Sequence, residues 1–242
     1  MIKEALQYIV GMKEAKLLEI HGDTYSDKSL ERIGKHIPRA AAIEMTTLSS
    51  LVAYIKSKVD TMSEKMIIQV VSPTEVELYS ALDEDRKREK LVRVVASLPV
   101  FPFNSFTEKE KFVIGLQAKF VDDPSTDKAL VLKFAGTVEN RTIAEYGDDG
   151  VTQKASVKTG IASKGEAIVP NPVKLRPYRT FVEVSQPVSE FIFRLKDAKY
   201  EGIECAIFEA DGGAWMNEAM KEIKRYLEYE LADYTAQFTI IS

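Results

Sequence analysis

The sequence predicts an α+β fold in which antiparallel β-hairpins and a meander pack with three to four helices, the longest of them at the C-terminus. Three observations predict it. Two pairs of period-two runs, KMIIQVV with EVELYSAL and SEFIFRLK with IECAIFEA, are each joined by a short connection, the pattern of antiparallel hairpins. LVRVVASL follows the first pair closely enough to add a third antiparallel strand. Trp215, Ala219, Ile223, Leu227 and Leu231 then recur at helical spacing, with Lys221, Glu222, Lys224, Arg225 and Glu228 on the outward side.

In chain order, Ile2, Ala5, Leu6, Ile9 and Val10 give a short amphipathic helix whose apolar face packs on the body or on another subunit. Residues 22–38 are polar and broken by Gly22 and Pro38, an irregular connection, and residues 40–45 suit a short strand. We therefore read 1–45 as an N-terminal helix with an irregular connection, and 46–242 as a single α+β domain with a candidate sub-boundary near 122–128. Thr47 has the chemistry of an N-cap for a helix carrying Leu48, Leu51, Val52, Ile55 and Val59 on one face. Residues 83–90 form a charged turn in which Arg86, Lys87, Arg88 and Lys90 are offset by Asp83, Glu84, Asp85 and Glu89. Phe101, Phe103 and Phe106 lie in a proline-bounded extended run suited to plugging the core.

Thr107 and Glu110 have capping-box spacing before a helix whose apolar face is Phe112, Val113, Leu116, Phe120 and Val121. Asp122, Asp123 and Asp127 lack the glycine and terminal glutamate of a calcium loop, so with Pro124 they read as a turn. KALVLKFAGTV reads as a short buried helix. Residues 141–146, a Gly147–Gly150 turn and residues 151–162 read as a hairpin with Thr152, Lys154, Ser156 and Lys158 on its wet or partner-facing side. AQFTII supplies a last edge strand.

Composition limits the chemistry. The 242 residues are 45% hydrophobic and 29% charged, ordinary globular values, and a chain of this size buries about 70% of its unfolded surface. The 33 Lys+Arg against 37 Asp+Glu give a formal net charge of -4, which provides no global attraction to nucleic acid or to an anionic membrane. Any polyanion site must be a local patch. Cys205 is the only cysteine, and His21 and His36 the only histidines; this excludes an intrachain disulfide, multi-thiolate zinc and histidine-rich metal sites, and suits a reducing cytoplasm. No metal and no cofactor is expected. The first 20 residues alternate charge with apolar residues, unlike a signal peptide, and no run approaches the roughly 20 apolar residues of a membrane span, so a soluble, intracellular protein is expected.

Residues 168–215 hold the densest candidate site. Pro170, Pro172 and Pro177 force an extended run along an edge or over a surface, because proline donates nothing to a sheet ladder. Lys174, Arg176, Tyr178, Arg179 and Phe181 interleave cations with aromatics, a composition that stacks bases or clamps phosphates, or else pairs internally with acids such as Glu183 or Glu190. Asp211, Gly212 and Gly213 precede the last helix, where freed backbone N–H groups attract anions, although the Walker and GxGxxG patterns are absent. Glu209 and Asp211, with Glu183 or Glu204, are the residues a magnesium nuclease would use. Cys205, mid-strand and without a nearby base, reads as packing.

VPNPVKLRPYRTFVEVSQPVSEFIFRLK and ECAIFEADGGAW, with the earlier LVAYIKS, SPTEVELYSAL, LQAKFVDD and YGDDGVTQKASVKTGIAS, resemble the YfdQ-like family of phage and prophage proteins from about Thr46 onward. The family is a domain of unknown function. The resemblance implies a phage or prophage origin and an intracellular role during infection, which makes the expected compartment the cytoplasm of a host cell, and it carries no catalytic assignment. The function expected is therefore non-enzymatic: a phage protein, homo-oligomeric, that binds nucleic acid or a host or phage protein partner in replication, recombination or host takeover. Lys174, Arg176, Tyr178 and Arg179 are its candidate binding face, with Asp211, Gly212 and Gly213 second. The alternatives are a counter-defence protein that sequesters a nucleotide signal or inhibits a host immune enzyme, and a metal-dependent nuclease.

Overall fold

The computed structural model describes residues 2–11, 15–20, 23–28, 39–84, 86–138, 153–158, 164–198 and 202–242. The chain divides into two compact units, Met1–Arg39 and Ala40–Ser242. No helix among the described residues is long and apolar enough to cross a membrane.

The first unit contains helix α1 (Ile2–Gly11) and an antiparallel hairpin of β1 (Leu17–Ile20) and β2 (Asp23–Ser26). Asp27 closes the hairpin, accepting from Lys16 N at 2.7 Å and donating its own N–H to Lys16 O at 3.2 Å. Among its described residues the large apolar side chains stand open: Ile2 is 80% and Tyr8 72% exposed, and Leu6, Leu17, Leu18, Ile20 and Tyr25 are all at least half exposed.

The second unit has two layers of sheet and helix chemistry, each with its own core. β3 (Ile43–Met45), α2 (Leu48–Ser57), β4 (Met66–Ser72), β5 (Glu75–Ser80) and β6 (Lys90–Val95) open it. The expected three-stranded antiparallel meander is β4-β5-β6. It gains two parallel edge partners, β3 beside β6 and the C-terminal β13 (Phe238–Ile241) beside β4, so the sheet is mixed. The alternation of β4 buries Met66, Ile68 and Val70, and the same face of β5 and β6 presents Val76, Leu78, Val92 and Val94. Leu48, Leu51, Val52 and Ile55 of α2 pack there, with Ile223 and Leu227 of α5 (Ala214–Glu230). Thr47 caps α2 as its sequence predicts, accepting from Ser50 N at 3.2 Å. Val59 does not extend the buried face: Lys58 turns left-handed at φ 53° and ends the helix, leaving Val59 exposed.

The second sheet has the order β10-β11-β12-β7, from Val173–Leu175, Ser189–Ala198, Gly202–Glu209 and Thr107–Glu108. Phe191, Phe193 and Leu195 of β11, with Ile203, Cys205 and Ile207 of β12, face helices α3 (Lys109–Lys119) and α4 (Lys128–Thr137) across a core rich in phenylalanine. Phe101 plugs this core edge-on to Phe120, and it approaches Gly115 so closely that a Cβ there would lie 3.0 Å from its ring. The capping box expected at Thr107 and Glu110 is not formed. Thr107 pairs with Cys205 in the ladder, so the chain enters α3 directly from a strand, and Glu108 occupies the N-cap without a side-chain cap bond. Val121 leaves the α3 face, since the chain is already extended at Phe120.

Only part of the hairpin expected over 141–162 falls within the described residues. Its first arm and the Gly147–Gly150 turn lie outside the described residues, while β8 (Lys154–Lys158) pairs forward with β9 (Lys164–Ile168). The side chains of Lys154, Ser156 and Lys158, and Thr152 as a whole, lie outside the described set. Gln153, just before β8, is buried and stands in for a strand, donating to Leu195 O at 2.7 Å and accepting from Leu195 N at 3.0 Å.

The outward face of the mixed sheet carries a charge ladder rather than a second core. Arg93 bridges Glu75 and Glu44, while Lys90 and Tyr79 donate to Glu77, which is 6% exposed. Two of the cations beside the charged turn, Lys90 and Arg93, are therefore spent on the sheet. Burial pushes the Glu77 carboxyl up, but the hydrogen bonds from Lys90 and Tyr79 and the Arg93 charge outweigh it and hold it below the usual range. A depressed native pKa contributes stability that is present above the unfolded value and lost as pH falls through the native one. Urea midpoints of wild type and Glu77→Gln should thus differ by a constant amount at neutral pH and converge below about pH 4.5.

Candidate functional site

The segment from Arg176 to Gln186 runs as a strap from the second sheet to the first. At its start, β10 is an edge strand flanked by Pro172 and Pro177, and the α3–α4 connection covers it. Asp127 Oδ2 accepts from Lys174 N at 2.7 Å, Asp127 N donates to Lys174 O at 2.8 Å, Val121 N donates to Arg176 O at 2.8 Å and Tyr178 N donates to Lys119 O at 3.0 Å. Asp123 pairs with Arg176 at 2.7 Å, and its other oxygen accepts from Ser125 N and Oγ. Asp123 and Asp127 thus build the turn and the edge cover, while the Asp122 side chain is fully exposed.

At the far end of the strap, Thr180 Oγ1 donates to Pro73 O in the β4–β5 turn at 2.5 Å. Glu183 Oε1 accepts from Ser49 N at 3.0 Å and Ser49 Oγ at 3.1 Å, a carboxylate at the positive end of α2. Phe181 and Val184 enter the first core beside these bonds. Gln186, itself buried, holds the turn between: its Oε1 accepts from Arg179 N at 3.0 Å and Thr180 N at 3.1 Å, and its Nε2 donates to Thr180 O at 3.3 Å and Phe181 O at 3.0 Å.

Arg179 lies at the middle, 7% exposed. Its guanidinium donates to Glu209 Oε1 at 2.7 Å and to Ser189 Oγ, and it reaches Asp211 Oδ2 at 4.0 Å. Three rings surround it, with centroids at 4.1 Å for Trp215, 5.4 Å for Phe191 and 5.8 Å for Phe103. Burial pulls its pKa down to about 10, against the opposing pull of Glu209 and Asp211. The group therefore keeps its charge at neutral pH.

This arrangement corrects the expected binding face. Lys174 is exposed, Arg176 is partly covered and paired with Asp123, Tyr178 is half-buried, and Arg179 is enclosed, so the three cations do not form one basic surface. The partners also differ from Glu183 and Glu190, because the acids that meet these arginines come from other elements: the α3–α4 turn and the end of β12. The glycine junction is likewise committed internally. Gly212 and Gly213 take φ 61° and 81°, and the turn closes on Asp211, whose Oδ1 accepts from Gly213 N at 3.0 Å and whose carbonyl accepts from Ala214 N at 3.2 Å. Amides that were candidates for an anion are donors within the turn. Trp215, expected in the buried face of α5, is half-buried against Arg179 instead.

No protein-family model, no curated protein and no solved structure matches this chain.

Two open surfaces remain beside the strap. A cleft of about 430 Å³ is lined by Lys174, Val188, Glu190, Asp211, Trp215 and Glu218. Neither Arg176 nor Tyr178 reaches it, so the pocket that a nucleotide-sequestering protein would need around those residues is not formed there. The other surface lies on the outward face of the second sheet, where Phe106 and Phe208 meet edge-on at 5.7 Å, with Ile192, Arg194 and Lys196 around a space of about 570 Å³. Phe106 thus serves the surface rather than the core. The signal was present in the strand register: Phe208 shares its face with Glu204 and Ala206, opposite Ile203, Cys205 and Ile207.

Of the acidic residues a nuclease would use, Glu209 and Asp211 both lie against the Arg179 guanidinium, while Glu183 is committed to α2 and Glu204 to Lys196. Among the described residues no group of three or more His, Cys, Asp or Glu gathers to hold a metal. Cys205 is fully buried and burial pushes its thiol up to about 12, so the thiolate that a nucleophile requires is not populated at neutral pH.

Proposed function

We propose that the protein is a non-enzymatic phage or prophage protein that works through protein contacts in replication, recombination or host takeover, and that it self-associates through residues 1–39. The phage context rests on the sequence resemblance. The observation that carries the mode of action is the apolar exposure of the first unit, where a helix and a hairpin both present large side chains to solvent: Ile2, Leu6 and Tyr8 on one, Leu17, Leu18, Ile20 and Tyr25 on the other. A piece of fewer than about 40 residues rarely stabilises itself without disulfides, metals or association, and the single cysteine lies far outside this unit. Every copy carries the same uncovered surface, so a second copy is always available to cover it, as in isologous dimers.

Protein contact is favoured over nucleic acid because two of the three cations of the candidate face are paired inside the fold and the formal net charge is -4. The Phe106–Phe208 face, aromatic with a neighbouring arginine, has the composition of binding hot spots. Sedimentation velocity over the micromolar range tests the reading. The expected mass is a multiple of the monomer mass, and Leu6→Glu with Leu18→Glu shifts the distribution toward monomer. A wild-type protein that sediments as a monomer throughout overturns it.

A further inference from the structure

We propose that the cleft beside Trp215 receives an arginine side chain from a basic segment of a protein partner. This rests on the reading of the chain as a protein-binding protein and names the chemistry of the partner. The cleft has an aromatic wall and an unbalanced set of charges. Trp215 and Val188 supply apolar surface, Glu190, Asp211 and Glu218 supply carboxylates, and among the described residues Lys174 supplies the one ammonium. Lys174 and Glu190 face each other across the β10–β11 ladder. Among the described residues neither of them, nor Glu218, makes an ion pair, so beside Asp211, which already faces Arg179, the cleft presents charges that the fold itself does not use.

The fold also contains its own instance of the recognition. The indole of Trp215 already holds the Arg179 guanidinium at 4.1 Å, beside the Glu209 and Asp211 carboxylates. Arginine suits such a site better than lysine, because its planar, weakly hydrated guanidinium both stacks on an aromatic ring and forks onto a carboxylate. Trp215, in the first turn of α5, already stacks on Arg179, and a wall that is partly ordered beforehand loses less side-chain entropy on binding. An anionic ligand is disfavoured, since the carboxylates outnumber the ammonium and the junction amides of Gly213 and Ala214 are already donating.

Trp215 is the only tryptophan in the chain, so its fluorescence reports this cleft alone. The full-length protein is titrated with N-acetyl-triarginine amide and, as an uncharged isostere of the same shape, N-acetyl-tricitrulline amide. The proposal expects a saturable change with triarginine that weakens as salt is raised, with at least about a tenfold weaker response to tricitrulline. Glu190→Gln combined with Glu218→Gln, both at exposed positions, should lower triarginine affinity at least about tenfold while leaving the urea midpoint unchanged. No saturable change at millimolar triarginine, equal binding of tricitrulline, or full affinity in the double variant overturns it. A normal sedimentation mass with no triarginine response would reject this site alone; a monomeric protein that still binds triarginine would reject only the self-association.

Discussion

Replacing Arg179 by alanine is expected to destabilise the fold by about 3–5 kcal/mol, seen as a large fall in the urea midpoint. The loss has three parts. Glu209 and Ser189 lose a charged donor, the ring box formed by Phe103, Phe191 and Trp215 is left with a void, and the strap loses its anchor to the end of β12. Arg179→Lys should recover less than half of the loss, because an ammonium cannot donate to Glu209 and Ser189 at once while lying flat on an indole. Arg179→Met should be milder than alanine: it fills the box, and the Glu209 side chain, 36% exposed, can be hydrated instead. The order wild type, methionine, lysine or alanine would mark the site as a packed ion pair; a residue kept for ligand binding would show little change in midpoint for any of the three.

The second large effect is expected at Gln186. Its amide satisfies two buried N–H groups and three carbonyls of the strap at the same time, so Gln186→Ala leaves several polar groups dry and unpaired. At about 1–3 kcal/mol for each unsatisfied buried group, with partial relaxation, a loss of roughly 2–4 kcal/mol follows. Gln186→Glu separates the roles: it keeps the acceptor for Arg179 N and Thr180 N, but removes the Nε2 donor and places a carboxylate against the Thr180 and Phe181 carbonyls. It should be no more stable than alanine at neutral pH and should recover on acidification as the carboxyl protonates. Chemical denaturation at two pH values measures both.

Much of the fold is legible in the sequence because its strands are half-buried and long enough to show a period. The meander at 66–95, the β11–β12 hairpin and the α2 and α5 faces each repeat an apolar residue at the spacing of their own backbone. The parallel partners β3 and β13 are not recognisable as such, since strands of three and four residues carry too few positions to reveal direction or neighbour. The capping box at Thr107 fails for a different reason: a β-branched residue that satisfies a cap motif satisfies a ladder equally well, and the nearby β12 edge takes it.

The candidate site is legible in composition but not in role. Cations interleaved with aromatics describe a stacking surface and an aromatic-lined ion pair equally, and what decides is whether an acid from elsewhere reaches the arginine. For Arg179 that acid is Glu209, 30 residues away on a different strand, and for Arg176 it is Asp123, in a turn between two helices. Neither is close enough in sequence to be found by spacing.

The claim at the centre of this account is that Arg179 is held inside the fold by Glu209 and does not belong to a binding face. A double-mutant cycle of Arg179→Met and Glu209→Gln, read by urea denaturation, tests it most directly. The account predicts that the two losses are not additive, with a coupling on the order of 1 kcal/mol or more. Additivity within about 0.3 kcal/mol would mean that the two residues act independently, and would contradict it.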